Sequence, residues 1–256
     1  MNTLYVLAHF DDEYFAWPLI QRGQKKGDQQ YFMYVADYDP AELTERRAQE
    51  TTRFLMGMGI PAANVAHAGR GTGAMDGSIH ERFSAALEAS RAAVRRLGPI
   101  DRVVVCAWEG GHPDHDSCAR LALHLSRELE DPEVIQFPLY SGKGLAGRLF
   151  RAGRPLDENG PIERVSMSWS DWLKFWIGVR HYPSQWRTWL GLWPMMFWTY
   201  IRRGFSYQRL TSARVLERPH SGVLLYERMF GVSYSAVDQW TASSRAVQPP
   251  NHAERP

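Results

Sequence analysis

The residues best suited to chemistry in this sequence begin at His9, which is followed by Asp11 and Asp12. Imidazole and carboxylate groups bind catalytic metals and carry protons. Leu4 to Leu7, the apolar run just before this cluster, predicts a short buried strand. In open α/β sheets ligands bind at the carboxyl ends of the strands. The cluster therefore lies where one half of an active site is expected.

A second cluster follows a second apolar run. His112, Asp114 and His115 come shortly after residues 102–107, which also predict a strand. A lone histidine near a strand end is most often a polar surface residue. Two such clusters, each after a hydrophobic strand, instead predict one metal site, because neighbouring parallel strands would bring them together. A carboxylate and an imidazole would remain for proton transfer.

Both clusters resemble motifs of a known family. AHFDDE at residues 8–13 resembles the AHPDDE motif, and HPDH at residues 112–115 resembles the HxDH motif, of the LmbE-like (PIG-L) zinc N-deacetylases, which include GlcNAc-phosphatidylinositol deacetylases. Weaker resemblances lie at residues 47–50 (RAQE), 75–77 (MDG) and 182–185 (YPSQ), and all of them fall within about the first 190 residues. Phe10 stands where the family usually has proline, a change that removes no functional group.

The expected metal ligands are His9, Asp12 and His115. Two imidazoles and one carboxylate suit one catalytic Zn²⁺ per chain with a position left open for water, and Fe²⁺ or Co²⁺ could bind the same set. Asp11 is adjacent to a ligand, but successive side chains at a strand end diverge, so its carboxylate can face the water. Asp11 is thus the expected general base for a water activated by the metal.

His112 is the expected general acid. Its ring, protonated and oriented by the Asp114 carboxylate, would donate a hydrogen bond to the oxyanion and a proton to the departing amine. The family resemblance implies the same roles. It also implies that Arg47 reads a substrate hydroxyl and that Asp76 contacts the substrate. Without the resemblance, a surface pair of Arg47 with Glu50 and a turn or capping role for Asp76 remain open.

The predicted function is removal of an N-acyl group, N-acetyl by resemblance, from an amino sugar or a conjugate that contains one. Alternatives are amide hydrolysis on a long-chain N-acyl, lipid-linked or thiol-conjugate substrate, and a non-catalytic protein that binds sugars or membranes. The net charge of +2 provides no large field for nucleic acid. Two cysteines cannot form a disulfide framework, and no signal-peptide pattern precedes the first strand. A cytoplasmic location is expected, with peripheral membrane contact as a variant.

Strand and helix patterns alternate along the first part of the chain. Strands are predicted at residues 4–7, 31–36, 64–68, 102–107 and 134–139, and helices at residues 13–26, 41–57, 79–97 and 116–129. This alternation predicts a Rossmann-like three-layer sandwich with a mainly parallel sheet. The Gly-, Arg- and Pro-rich residues 140–161 predict an excursion over the surface beside the site.

Residues 165–207 carry seven of the ten tryptophans and predict a helical region with an aromatic stripe at residues 169–176. Such stripes are mostly core or an oligomer face. The alternatives are a wall for a lipid-linked or aromatic substrate, or a membrane-surface contact with Arg202 and Arg203 at the headgroups. A transmembrane span is not expected, because the uncharged run at residues 188–201 is short and contains a proline.

Two runs near the end, Ala213 to Glu217 and Val223 to Glu227, predict a small β-hairpin. Beyond them the sequence becomes rich in Ser, Ala, Gln and Pro. Residues 242–256 are therefore predicted to form a disordered tail, which leaves residues 1–241 as a single domain.

Overall fold

A seven-stranded sheet lies at the centre of the structure, a computed structural model that describes residues 1–242. The strands of the structure are β1 (Asn2–Leu7), β2 (Gln29–Tyr34), β3 (Val65–His67), β4 (Arg102–Cys106), β5 (Glu133–Phe137), β6 (Tyr140–Ser141), β7 (Arg151–Ala152), β8 (Glu163–Val165) and β9 (Phe205–Arg209). In the main sheet their order is β3-β2-β1-β4-β5-β9-β8, and β6 pairs with β7 separately. The five strands from β3 to β5 are parallel, so the predicted mainly parallel α/β sheet is confirmed.

Nine α-helices lie in residues 1–242, and the first five connect the parallel strands. They are α1 (Asp12–Phe15), α2 (Trp17–Lys26), α3 (Ala41–Gly57), α4 (Phe83–Val94), α5 (Pro113–Glu128), α6 (Trp169–Gly178), α7 (Trp186–Arg203), α8 (Leu225–Met229) and α9 (Tyr234–Ala242). The helix predicted at residues 13–26 is divided at Ala16 into α1 and α2, and Gly27 ends α2 in the left-handed conformation. No helix in residues 1–242 is long and apolar enough to cross a membrane.

The strand order reverses between β1 and β4, which lie side by side. Their pairing is parallel and places Leu4 opposite Val103. Both strands are almost fully buried, because helices cover both faces of the sheet. The two His/Asp clusters therefore leave the sheet at the same edge, at the switch point where α/β folds bind their ligands.

The β-hairpin predicted from residues 213–227 is absent, and that prediction is wrong. Arg214–Leu216 forms a 3₁₀ turn, and the second run begins α8 instead. The Glu227 carboxylate accepts the backbone N–H of Leu224 at 2.8 Å, which caps the helix. Residues 224–226 are all buried, so the burial does not alternate as it would in a half-exposed strand.

Two strands that the sequence pattern does not reveal, β8 and β9, complete the sheet in antiparallel orientation. Of the polar side chains in β9, Ser206 and Gln208 are buried, and Arg209 at the end of the strand is exposed. Gln208 donates hydrogen bonds to the carbonyl oxygens of Leu156 and Gly160 at 2.8 and 2.7 Å. Because polar and apolar residues are equally buried in this strand, its sequence shows no clear period of two.

The Trp-rich region forms the helices α6 and α7. Their inner side is core: Phe175, Trp189, Met196 and Tyr200 are buried. Their outer side is exposed and keeps several tryptophans in contact with solvent. Of the predicted tail, residues 242–256, only Ala242 is described, and it is the last residue of α9. Residues 243–256 lie outside the described residues.

Candidate metal centre and active site

The first cluster forms a tight turn between β1 and α1. The backbone N–H of His9 donates to a carboxylate oxygen of Asp12 at 2.8 Å, and the N–H of Asp12 donates to the His9 carbonyl oxygen at 3.2 Å. These reciprocal bonds fix the Asp12 carboxylate beside the His9 ring. Both residues are buried, with 9% and 3% of their surface exposed.

The second cluster lies at the start of α5. His112 is the N-cap residue and Pro113 takes the first helical position, where a missing N–H costs nothing. The preceding glycine, Gly111, lies so close to its neighbour that an added Cβ would be 2.0 Å from the Tyr140 carbonyl oxygen. A larger residue there would push the start of α5 away from the loop. The glycine therefore lets His115, in the first turn, approach the end of β1.

His9, Asp12 and His115 come together as predicted. The Nδ1 atom of His9 lies 3.2 Å from Nε2 of His115, and that Nε2 atom lies 3.2 Å from Oδ1 of Asp12. His9 Nδ1 lies 3.8 Å from the other oxygen of the same carboxylate, Asp12 Oδ2. Tetrahedral ligands on bonds of about 2.0–2.1 Å lie about 3.3 Å apart. The donor types and their spacing thus fit a zinc-sized cation.

Asp114 contacts the opposite side of the His9 ring. Its Oδ2 lies 3.1 Å from His9 Nε2 and accepts the backbone N–H of Gly77 at 2.6 Å, while Oδ1 accepts the N–H of Ile79 at 3.0 Å. Because backbone donors already occupy both oxygens, this carboxylate is suited to orienting His9. A second set of potential ligands, His9, Asp76, His112 and Asp114, shares this Nε2 atom. His9 Nδ1 remains free for the first set.

The electrostatic environment of the ligand set favours the charged forms of His9 and Asp12. Burial alone would lower the pKa of His9, but the neighbouring carboxylates, led by Asp76, outweigh it and hold the pKa well above its ordinary value. Burial opposes ionisation of Asp12 as well, yet the charge of His115 and hydrogen bonds from both histidines lower its pKa. The site therefore holds an ionised carboxylate between two imidazoles.

Asp11 adopts a strained backbone conformation beside this set. Its φ is 144° and its ψ is −14°, which is unusual for a residue with a Cβ. The Glu13 carboxylate accepts the Asp11 N–H at 3.0 Å and the hydroxyl of Tyr182 at 2.6 Å. Burial, followed by the charge of Asp12, raises the pKa of Asp11 well above its ordinary value. Its carboxylate lines the cavity described below and can accept a proton there.

His112 faces the same cavity in a different state from the predicted one. Its Nδ1 accepts the backbone N–H of Asp114 at 3.3 Å, whereas the Asp114 carboxylate is 3.8 Å away, beyond hydrogen-bond distance. Burial and the charge of His9 lower the pKa of His112 to about 3. These contacts favour a neutral ring with a proton on Nε2, not the protonated acid that the sequence suggests.

Arg47 and Asp76 also reach the cavity, as the resemblance implies. Their charged groups are 3.9 Å apart, and the guanidinium lies over the Tyr38 ring at 4.4 Å from its centre. The alternative surface pair of Arg47 with Glu50 is not present. Glu50 is buried and accepts both the N–H and the hydroxyl of Ser184, at 3.1 and 2.7 Å.

A cavity of about 400 Å³ connects these residues. Its wall away from the ligand set consists mainly of apolar residues from the C-terminal half, which are Leu139, Tyr140, Phe150, Leu192, Leu225, Met229 and Phe230. None of them belongs to a motif, so spacing in the sequence gives no signal for them. Phe150 confirms that residues 140–161 reach the site. No tryptophan is among the described lining residues, so the alternative of a tryptophan substrate wall does not apply to this cavity.

Phe10, the departure from the family motif, is part of the core. Its ring stacks on Tyr34 with 4.6 Å between the ring centres and meets His67 edge-on at 5.0 Å. Its backbone N–H donates to the Tyr38 hydroxyl at 3.2 Å, a bond that proline could not make. Aromatic packing and this hydrogen bond therefore support the turn.

The fold and the site define an α/β protein with a candidate metal centre at the carboxyl ends of its strands. Residues 4–126 match the family model described as PIG-L, GlcNAc-PI de-N-acetylase. This match spans just under half of the chain and confirms the resemblance of its motifs. No curated protein matches the sequence.

Solved structures share the fold at low sequence identity. The zinc inhibited form of teicoplanin deacetylase Orf2 has a TM-score of 0.59 and 15% identity, covering 83% of this chain and 100% of that one. The A40926 pseudoaglycone deacetylase Dbv21 has a TM-score of 0.60 and 17% identity, covering 82% and 98%. GalB, the 4-carboxy-2-hydroxymuconate hydratase of Pseudomonas putida KT2440, has a TM-score of 0.50 and 14% identity, covering 82% and 95%.

Proposed function

We propose that this protein is a metal-dependent N-deacetylase that hydrolyses the N-acyl group of an amino sugar or of a conjugate that contains one. The observation that carries the proposal is the near-tetrahedral spacing of His9, Asp12 and His115 beside an unpaired acid, Asp11, in one cavity. The PIG-L family domain supports deacetylation as the reaction.

The three donors would hold one divalent cation, with zinc as the first candidate. Two imidazole nitrogens and one carboxylate are a common catalytic zinc set, and a related fold is known in a zinc-inhibited form. A zinc ion held there would lower the pKa of a water molecule to about 7 and polarise the acyl carbonyl. Iron(II) or cobalt(II) could replace zinc on the same donors.

Asp11 is the proposed general base. Its raised pKa keeps the carboxylate basic enough to take a proton from the attacking water while the new C–O bond forms. The acid so formed then gives this proton to the nitrogen as the C–N bond breaks, so that one group serves both steps. The strained backbone, held by Glu13, keeps the carboxylate directed into the cavity.

His112 is the proposed oxyanion donor. With Nδ1 occupied by a backbone N–H, its Nε2 proton is available to the carbonyl oxygen on which negative charge develops. A neutral ring is a weak acid, so we move the acid role predicted for His112 to Asp11. Asp114 supports the reaction by orienting His9 and by donating its own N–H to His112.

The polar residues of the cavity suit a sugar, and its apolar wall suits the substituents of that sugar. Arg47 and Asp76 provide a donor and an acceptor for neighbouring hydroxyl groups. Phe150, Leu192 and Phe230 provide room for an apolar aglycone, a lipid or a longer acyl chain. A substrate with an N-acyl chain longer than acetyl is therefore the second candidate.

The test measures free amine released from a panel of N-acetyl and long-chain N-acyl amino sugars by the zinc-loaded protein. Asp11→Asn should keep bound zinc near one per chain and lower kcat by roughly 10²- to 10⁴-fold. His115→Ala should lose the metal. Asp11→Asn with full activity would contradict the base assignment.

A second outcome concerns the reaction class. GalB shares the fold and is a hydratase, so the fold alone does not select amide hydrolysis. Absence of amine from every member of the panel, with metal bound and all residues intact, would contradict the deacetylase proposal. A lyase or hydratase reaction on an unsaturated acid would then be the next class to assay.

A further inference from the structure

The helix α6 carries an apolar stripe on the side that faces away from the core. Trp169, Leu173, Trp176 and Ile177 are spaced by four, three and one residues, which places them on one side of a helix. Their exposed fractions are 83%, 61%, 47% and 39%. The opposite side of α6, which includes Phe175, is buried. The helix thus has two apolar faces, and only one of them is covered.

The longer helix α7 repeats this arrangement. Trp186, Leu190, Trp198 and Ile201 are exposed by 56%, 70%, 56% and 39% and share one side of the helix. The half-buried Trp193 and Phe197 lie between this side and the core. Trp176 of α6 contacts both rings, with centroids 4.5 and 4.4 Å away. The two stripes therefore form one surface, the aromatic face, made of these eight exposed residues.

The aromatic face is a concentration of apolar surface that has no equal in the rest of residues 1–242. It contains eight of the sixteen large hydrophobic side chains that are exposed in the described part of the chain. Scattered apolar residues on a surface need no explanation, but a contiguous patch of this kind marks a contact with another molecule or with a membrane. Amphipathic aromatic residues are enriched at membrane–water interfaces.

The segment that carries this face has more exposed cations than acids. Residues 169–203 contain five exposed cations, which are Lys174, Arg180, Arg187, Arg202 and Arg203. None of the five forms an ion pair with a described residue. The one acid in this range, Asp171, is bonded to Lys25 at 3.0 Å and caps α6. The surface is therefore both apolar and positively charged.

Two of the arginines already stack on tryptophans of the face. The Arg202 guanidinium lies 4.3 Å from the centre of the Trp198 ring, and that of Arg187 lies 5.4 Å from the centre of Trp186. These contacts hold the charges at the edge of the apolar surface. An arginine so placed can reach a phosphate while its aromatic neighbour enters the acyl boundary.

We propose that the aromatic face docks on an anionic phospholipid surface. The apolar residues would enter the boundary between headgroups and acyl chains, and the surrounding cations would contact lipid phosphates. Charge complementarity selects this partner over a second copy of the chain, because two copies would bring like charges together around a shared apolar contact. Since no described helix can span a bilayer, the contact is peripheral.

Docking would place the cavity beside the lipid. Arg187, Thr188 and Gly191 line the cavity, and Leu190 of the aromatic face is their neighbour on α7. A substrate anchored in the bilayer could then present its amide to the site without leaving the surface. This extension rests on the proposed function, whereas lipid binding itself does not.

The test is co-sedimentation of the full-length protein with vesicles. Phosphatidylcholine vesicles that contain phosphatidylglycerol should bind the protein at least roughly tenfold more tightly than pure phosphatidylcholine vesicles. Trp169→Ser combined with Leu190→Ser should weaken binding to the anionic vesicles by roughly tenfold or more. Arg202→Gln should weaken it by roughly fivefold.

Leu216→Ser is the matched control, because Leu216 is 59% exposed but lies outside the aromatic face. It should leave vesicle binding unchanged. Wild-type protein that fails to sediment with anionic vesicles would overturn the proposal, as would equal binding by the double variant. Sedimentation velocity tests whether a second copy of the chain covers the face instead. If the wild-type protein is a dimer that does not bind vesicles, and the double variant is a monomer, the aromatic face is a self-association surface.

Activity measurements distinguish the docking proposal from the proposed deacetylase function. Trp169→Ser with Leu190→Ser should keep the wild-type rate on a water-soluble N-acyl amino sugar, because neither residue lines the cavity. The same variant should lose roughly tenfold in rate on a lipid-linked substrate in vesicles. Vesicle binding without any amine release would leave the docking proposal intact and contradict the deacetylase function.

Discussion

Replacing Asp11 by glycine should give a more stable protein than replacing it by alanine, although both changes remove the proposed base. At φ 144° a Cβ costs about 1–3 kcal/mol, whereas glycine adopts this conformation freely. Glycine loses about 0.5–1 kcal/mol through the greater entropy of its unfolded chain. Asp11→Gly should therefore be more stable than Asp11→Ala by about 0.5–2 kcal/mol, because the two variants lack the same carboxylate and differ only in the Cβ.

The measurement is thermal denaturation of both variants with a chelator present, so that metal affinity does not enter the comparison. A difference of this size moves the melting temperature by about 2–4 °C per kcal/mol in a chain of this length. Both variants should be inactive on an N-acyl amino sugar. If Asp11→Gly is no more stable than Asp11→Ala, the backbone of Asp11 is not strained and the turn is held in another way.

Three further predictions concern stability. Burial raises the pKa of Glu109 to about 8, so this group is neutral in the folded protein and ionised in the unfolded chain between about pH 5 and pH 8. The free energy of unfolding should fall across that window by up to about 1.4 kcal/mol per pH unit, and urea titrations of Glu109→Gln should show a shallower fall; equal slopes would contradict it. Phe175→Ala should cost about 3–5 kcal/mol in the same assay because its ring is fully buried. Trp169→Ala should change stability by less than about 0.5 kcal/mol, and a large loss would show that Trp169 is core.

The parallel half of the fold was predictable because its signals are local. Apolar runs locate β1 and β4 from the sequence alone, and helical spacing locates α3. The ligand set was predictable for a related reason, since two strands that end in His/Asp clusters need only to be neighbours. Chemistry at strand ends is therefore visible in a sequence when the sheet is parallel.

Contacts between distant segments were not predictable in this way. The neutral state of His112 depends on the backbone N–H of Asp114, rather than its carboxylate, facing the ring. The N-cap geometry of α5 determines this contact. Glu109 accepts the backbone N–H groups of Leu139 and Tyr140, a contact that no spacing in the sequence suggests. The division of the Trp-rich region into a core side and an exposed side depended on how α6 and α7 pack.

The segment at residues 182–185 gives the C-terminal half a role in holding the catalytic turn. Tyr182 donates to Glu13, Ser184 donates twice to Glu50, and Gln185 donates to the Phe10 carbonyl oxygen. Glu13 and Glu50 are buried, so a fragment ending at residue 126, where the family match stops, would leave them without these donors. We therefore expect residues 4–126 alone to be much less stable than the whole chain. Evolution could vary the later segments of this chain only if each variant continued to complete the catalytic half.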